Sequence, residues 1–176
     1  MTTLFVSIVM GSDSDLQVMA EAAKVLEQLG IMSEVRVLSA HRMPSELVAY
    51  IHDAEARGCK VFIAGAGMAA ALPGTVAAHT ALPVIGVPLT SAASALGGLD
   101  ALLSIIQMPP GVPVAAVGLN GAKNAGILAA QIIAVSDESV AANVAAYKSK
   151  QASDVLAKDQ KLQEVEYKKY LEEKGL

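Results

Sequence analysis

Apolar, β-branched runs alternate along this chain with stretches whose apolar residues recur at helical spacing. Residues 4–10, "LFVSIVM", form the first such run; a polar turn and a helical pattern reaching about Leu29 follow it. Further strands are predicted at 33–39, 60–66, 83–89 and 112–119, each followed by a helical segment: about 44–57, 67–80, 99–108 and 121–135. Nearly continuous apolar strands separated by helices imply a parallel sheet covered on both faces. Right-handed crossovers wind such a series into a three-layer α/β fold. The expected architecture is a doubly wound, flavodoxin-like sheet of five parallel strands in the order 2-1-3-4-5. From about residue 137 the pattern changes: Lys, Glu, Gln and Ala dominate, and Val140, Val144, Tyr147, Val155, Leu162 and Val165 recur at helical spacing. The chain thus divides into an α/β domain over 1–136 and a helical extension over 137–176. The extension is expected to pack on the domain or a neighbouring subunit; a solvated tail is the plainer alternative.

Composition narrows this picture. The 176 residues suffice for one domain with a substantial core. Only 17% are charged while 53% are hydrophobic, so some apolar surface is expected to enter a subunit interface. The net charge of −4 argues against nucleic acid, whose phosphates call for a basic excess. Cys59, the sole cysteine, allows no internal disulfide, fits a reducing cytoplasm and reads as a small, partly buried residue. No Cys/His cluster offers a metal site. The first apolar run lacks a basic leader and is too short to span a membrane.

In an open parallel sheet, ligands bind beyond the carboxyl ends of the strands. Four loops of interest fall there. In "GSDSD", residues 11–15, Gly11 permits a tight turn, and Ser12 and Ser14 can cap the following helix. The helix N-terminus attracts anions. Asp13 and Asp15 would repel a phosphate placed directly on them. A workable division has Ser12 and the backbone hold phosphate while a carboxylate accepts hydrogen bonds from sugar hydroxyls. In "LSAHRMPSE", His41 offers a group that exchanges a proton near neutrality, and Arg42 a planar fork of donors for phosphate or carboxylate. "AGAGMAAALPG", with Gly65, Gly67 and Gly74, lets backbone approach a flat ligand, or lets helix and strand pack closely. A Ser/Ala/Gly-rich loop over 88–98 suits a mobile lid. His52 and His79 read as exposed and structural respectively, and Lys123 and Asn124 open the fifth helix.

Taken together, "GSDSDL", "SAHRMP", "AGAGMAAALPG", "PVIGVPL", "GLDALLSIIQMPPGVPVAAV" and "KNAGILAAQI" resemble, in order and spacing, the PurE family of purine biosynthesis. The similarity is to its class I form, the N5-carboxyaminoimidazole ribonucleotide mutases, and runs from about residue 5 to 135. It implies a cofactor-free isomerase that moves a carboxylate from an exocyclic nitrogen to a ring carbon through trapped CO2. His41 matches the family's proton-shuttling histidine, and Ser12, Asp15 and Arg42 its nucleotide-binding positions. The substrate-binding set is expected to include Ser14, Ser39, Gly67, Ala71 and Leu72 as well. The resemblance further implies an octamer with sites at subunit contacts, an aminoimidazole ribonucleotide derivative as small-molecule substrate, and a cytoplasmic location. Three departures stand out: Ala71 where the pattern commonly has His, Met68 for a Gly, and Leu16 for a Trp. Two other activities fit the same residues, a CO2-using aminoimidazole ribonucleotide carboxylase (class II) and a non-catalytic nucleotide-binding module. A flavodoxin-type electron carrier is disfavoured, because few aromatics are present to stack on a flavin.

Overall fold

The computed structural model describes residues 4–91 and 94–175. Five strands, β1 (Phe5–Met10), β2 (Met32–Val37), β3 (Cys59–Gly67), β4 (Val84–Leu89) and β5 (Ala115–Ala116), form one sheet. All its pairings are parallel, and its order is β2-β1-β3-β4-β5. Between and after them run α1 (Leu16–Gln28), α2 (Pro44–Arg57), α3 (Leu72–Ala78), α4 (Leu99–Ile106), α5 (Ala122–Ala134), α6 (Glu138–Val165) and α7 (Tyr167–Lys174). The expected doubly wound fold is the observed one.

Strand alternation sends successive side chains of the central strands to two separate cores. Val6, Ile8 and Met10 of β1 join Val61, Ile63, Ile85 and Val87 beneath α1, α5 and the start of α6. Phe5 and Val9 join Phe62 and Ala64 beneath α2, α3 and α4. On that second face Ser7 is fully buried, and its hydroxyl shares a 2.7 Å hydrogen bond with the phenol of Tyr50 on α2. Burial pushes that phenol up to about 12, so it stays neutral.

Helix ends follow local chemistry. Pro44 opens α2, where its missing N–H costs nothing, and Gly58 closes it at φ 104°. The Asp137 carboxylate accepts from the N–H groups of Ser139 and Val140 and starts α6. Helices α1 and α5 approach closely at Gly126. A Cβ there would lie 2.5 Å from Val25 Cγ1 and 2.9 Å from the Ala22 carbonyl oxygen. Backbone cannot yield as a flexible side chain does. Gly126→Ala therefore sets an overpacking cost of about 1–3 kcal/mol against a helix-propensity gain of about 1 kcal/mol. A Tm lower by up to about 8 °C is expected by circular dichroism, and a raised Tm would contradict the close packing.

Three sequence expectations need correction. The strand read at 112–119 is reduced to Ala115–Ala116, both exposed. Pro109, Pro110 and Pro113 supply no N–H, so the ladder cannot start early. It continues beyond β5 only as single bonds from Val117 N to Gly86 O and Asn120 N to Pro88 O. β2 begins and ends earlier than the predicted 33–39, and it is an edge strand: Met32, Val35 and Val37 are exposed rather than covered. The helix read across 67–80 is only Leu72–Ala78, because β3 runs on through Gly67 and Met68 takes a left-handed φ of 54°.

The extension begins inside the fold. Val140 and Val144 are buried in the α1–α5 core, and Asn143 Nδ2 donates to the Leu29 carbonyl at 3.0 Å. Farther on, Val155 and Leu156 of the 28-residue α6 are exposed, and α7 folds back to place Glu173 2.6 Å from Lys161. No helix among the described residues is long and apolar enough to cross a membrane.

Candidate active site

The carboxyl ends of β1, β2, β3 and β4 converge on one cleft of about 390 Å³. Its floor is the first loop. Ser12 adopts an extended conformation and caps the 3-10 turn Asp13–Asp15; its Oγ accepts from the Ser14 N–H at 3.3 Å and the Ser14 hydroxyl at 2.9 Å. This turn feeds directly into α1, so the serine hydroxyls sit where helix N–H groups point outward.

Asp15 is half-buried. Burial holds its carboxyl above the ordinary value of 3.8; the Ser12 backbone and the Ser14 side chain oppose this, and the nearby Asp13 charge adds to it. The folded state thus keeps this proton to higher pH than the unfolded chain does. The stability Asp15 contributes is full below pH 3.8 and is lost as pH rises through the folded-state value. Asp15→Asn is accordingly expected to raise Tm at neutral pH, with the gain vanishing below the ordinary carboxyl range. A Tm difference that stays constant from pH 3 to 7 would refute this.

The second loop is tied to the first. Leu38 N donates to Met10 O at 2.8 Å, prolonging the β1–β2 pairing into the loop. Ser39, 8% exposed, accepts from both the N–H and the Nε–H of Arg42 at 3.3 Å. The guanidinium then reaches back, and Nη2 donates to the Gly11 carbonyl at 2.8 Å. Its other N–H groups take no partner among the described residues. His41 is exposed and lines the same cleft.

The third loop forms the opposite wall. Gly67 ends β3 so close to β4 that a Cβ would lie 3.1 Å from the Leu89 carbonyl oxygen. Met68, left-handed and half-exposed, stands where the resembled pattern has Gly, a conformation that Gly adopts without strain. Ala71 and the buried Leu72 complete this wall, and Ser91 reaches the cleft from the β4–α4 loop. In the proposed lid over 88–98, Pro88 and Leu89 belong to β4, and residues 92 and 93 lie outside the described residues.

All nine residues expected at the site, His41, Ser12, Asp15, Arg42, Ser14, Ser39, Gly67, Ala71 and Leu72, line this one cleft. Met68, Ala69 and Ser91 line it too and were not among them. Met68 stands out as a departure from the resembled pattern; the signal of Ala69 and Ser91 is positional only, since each follows the carboxyl end of a strand. His52 and His79 lie away from the cleft and are both exposed; the structural role expected of His79 is limited to its backbone N–H, bonded to Val76 O. Cys59 is fully rather than partly buried, with its thiol pushed up to about 11 by burial. Among the described residues, no three His, Cys, Asp or Glu side chains converge as a metal site.

Comparison with known proteins fits this geometry. A family model described as AIR carboxylase matches residues 5–154. The chain is 54% identical to the N5-carboxyaminoimidazole ribonucleotide mutase of Thermotoga maritima, over 96% of this chain and 98% of that protein. Identity to the Mycobacterium tuberculosis protein of the same name is 52%, covering 90% of each chain. The phosphoribosylaminoimidazole carboxylase of Saccharomyces cerevisiae is 51% identical over 96% of this chain but only 29% of its own length. Among solved structures, Treponema denticola PurE superposes with a TM-score of 0.80 at 31% identity, over 90% of this chain and 98% of that one. The chain belongs to the AIR carboxylase family.

Proposed function

We infer that the protein is an isomerase of purine biosynthesis that converts N5-carboxyaminoimidazole ribonucleotide to 4-carboxy-5-aminoimidazole ribonucleotide. The observation that carries this reading is similarity, at 54% identity, to a mutase over 96% of this chain and 98% of that protein. The carboxylase relatives match over the same region but extend far beyond it.

In this reading Ser12, the first-loop backbone and Arg42 take the phosphate, Asp15 accepts from ribose hydroxyls, and His41 handles the proton. The imidazolium gives its proton to the exocyclic nitrogen as the N–C bond breaks and CO2 leaves. The ring carbon then attacks CO2, forming the new C–C bond. Neutral His41 removes the proton from that carbon, restoring both the aromatic ring and the imidazolium. Holding CO2 beside the ring requires a pocket from which water is excluded. Gly67, Ala69 and Ala71, small residues of one cleft wall, allow the ring to come close. No resident cofactor enters this sequence of steps.

The pocket is open in one protomer, and exposed apolar side chains on β2 and α4, including Met32, Val37, Leu99 and Ile106, suit burial by further copies. We take the working form as a cytoplasmic homo-octamer, with subunit contacts closing the sites; sedimentation equilibrium gives its mass directly.

A second reading rests on Ala71. It lines the cleft where the family pattern commonly carries His, and so bears on how a substrate carboxylate is held. A direct carboxylase would instead take aminoimidazole ribonucleotide and CO2. The test supplies purified protein with the N-carboxylated nucleotide, or with aminoimidazole ribonucleotide and bicarbonate. Turnover of the former upholds the mutase, and turnover of the latter alone replaces it with the carboxylase.

A further inference from the structure

No residue of the loop between β5 and α5 lines the cleft, but Asn120 in that loop bonds β4 and the residue that follows it. Asn120 has a left-handed φ of 56°, a conformation Asn tolerates better than most residues. Its backbone N–H donates to Pro88 O at 2.8 Å. Its side-chain amide makes two further bonds to one residue: Oδ1 accepts from the Thr90 N–H at 3.0 Å, and Nδ2 donates to Thr90 Oγ1 at 2.7 Å. Leu119 beside it covers Gly98, where an added Cβ would lie 2.9 Å from Leu119 Cδ2 and 3.0 Å from Thr90 Cγ2. Thr90 and Gly98, which flank the β4–α4 loop, are therefore neighbours, and Leu119–Asn120 brackets them. Thr90 is followed by Ser91, which lines the cleft and whose Cβ lies 3.8 Å from where a Gly67 Cβ would stand.

We propose that Asn120, through its two-point clasp on Thr90, is a positioning residue that fixes Ser91 and the stem of the β4–α4 loop against the Gly67 wall of the cleft. It touches no substrate and acts through Thr90. The inference rests on the cleft being where the isomerisation occurs. Its chemistry is specific to a carboxamide or carboxylate at 120. A glycine there keeps the left-handed backbone and the bond to Pro88 O but loses both side-chain bonds. An aspartate keeps both, since its two oxygens can accept from the Thr90 N–H and the Thr90 hydroxyl.

The test compares wild type, Asn120→Gly, Asn120→Asp and Thr90→Val by turnover of N5-carboxyaminoimidazole ribonucleotide and by hydrogen exchange of the 88–91 segment. Displacing a cleft wall by about 1 Å costs on the order of 10²-fold in rate. Asn120→Gly is expected to lose roughly 10- to 100-fold in kcat with KM little changed, and to exchange faster at the Thr90 amide. Asn120→Asp is expected to recover most of both. Thr90→Val removes one bond of the clasp from the other side. It should lose less, and it should add nothing to Asn120→Gly in the double variant. Wild-type kcat in Asn120→Gly, or failure of Asp to rescue a variant that remains folded, overturns the proposal. If wild type itself does not turn the nucleotide over, the mutase reading falls, and exchange at Thr90 alone decides: faster in Asn120→Gly upholds the clasp, unchanged overturns it.

Discussion

His41→Asn is expected to bind the nucleotide nearly as wild type does while turning it over roughly 10²–10⁴-fold more slowly, the usual contribution of a positioned proton-transfer group. Asn retains polarity and approximate shape but cannot carry a proton between nitrogen and carbon. The substitution should also leave the fold intact: His41 is exposed, and Ser39 and Arg42 form the loop's hydrogen bonds without it. Calorimetric titration with aminoimidazole ribonucleotide, set beside steady-state turnover of its N-carboxylated form, separates binding from chemistry. Undiminished turnover would remove His41 from the mechanism and favour a binding module.

Arg42→Ala is expected to act on binding first. The guanidinium is already fixed by the Ser39 hydroxyl and the Gly11 carbonyl, so little rotamer freedom remains to be lost when a phosphate arrives. A charge-assisted hydrogen bond contributes about 1.5–3 kcal/mol, which corresponds to a rise in KM of roughly 10- to 150-fold. The first loop also loses its tie to the second, so kcat should drop as well. Arg42→Lys keeps the charge, yet one ammonium cannot replace a fork that spans Ser39 and Gly11; an intermediate KM is expected. Comparing the nucleotide with its dephosphorylated nucleoside isolates the phosphate contribution. Wild type should prefer the nucleotide strongly, and Arg42→Ala should not. Equal preference in both would place the phosphate elsewhere.

The lining of the candidate cleft was more legible in the sequence than the sheet's margins were. Ser12, Asp15, His41 and Arg42 follow the ends of β1 and β2, and in a parallel sheet all such ends lie on one edge. Naming the strands therefore placed the loops together. The edges of the sheet gave no such help. β2 carries Val35 and Val37 like a buried strand, but it has a neighbour on one side only, and pattern alone cannot tell an edge from a centre. β5 shrank because prolines withhold donors that an apolar run implies. Met68 hid in an Ala-rich stretch that reads as helix, since its left-handed backbone is set by the junction of β3 and α3. Asn120 was illegible for another reason: its partner, Thr90, is 30 residues away, and only the folded sheet makes them neighbours.

The buried pairing of Ser7 with Tyr50 acts as an index mark for the whole chemistry. If β1 slid by a single position, an aliphatic side chain would face the phenol and a hydroxyl would be stranded among aliphatics, at a penalty of about 1–3 kcal/mol. The same slip would carry Gly11 and Ser12 about 3.3 Å along the strand axis, well past the reach within which Arg42 grips the Gly11 carbonyl. A polar contact four residues upstream of the first loop, on the far side of the sheet from α1, thus calibrates where a phosphate would land relative to the imidazole.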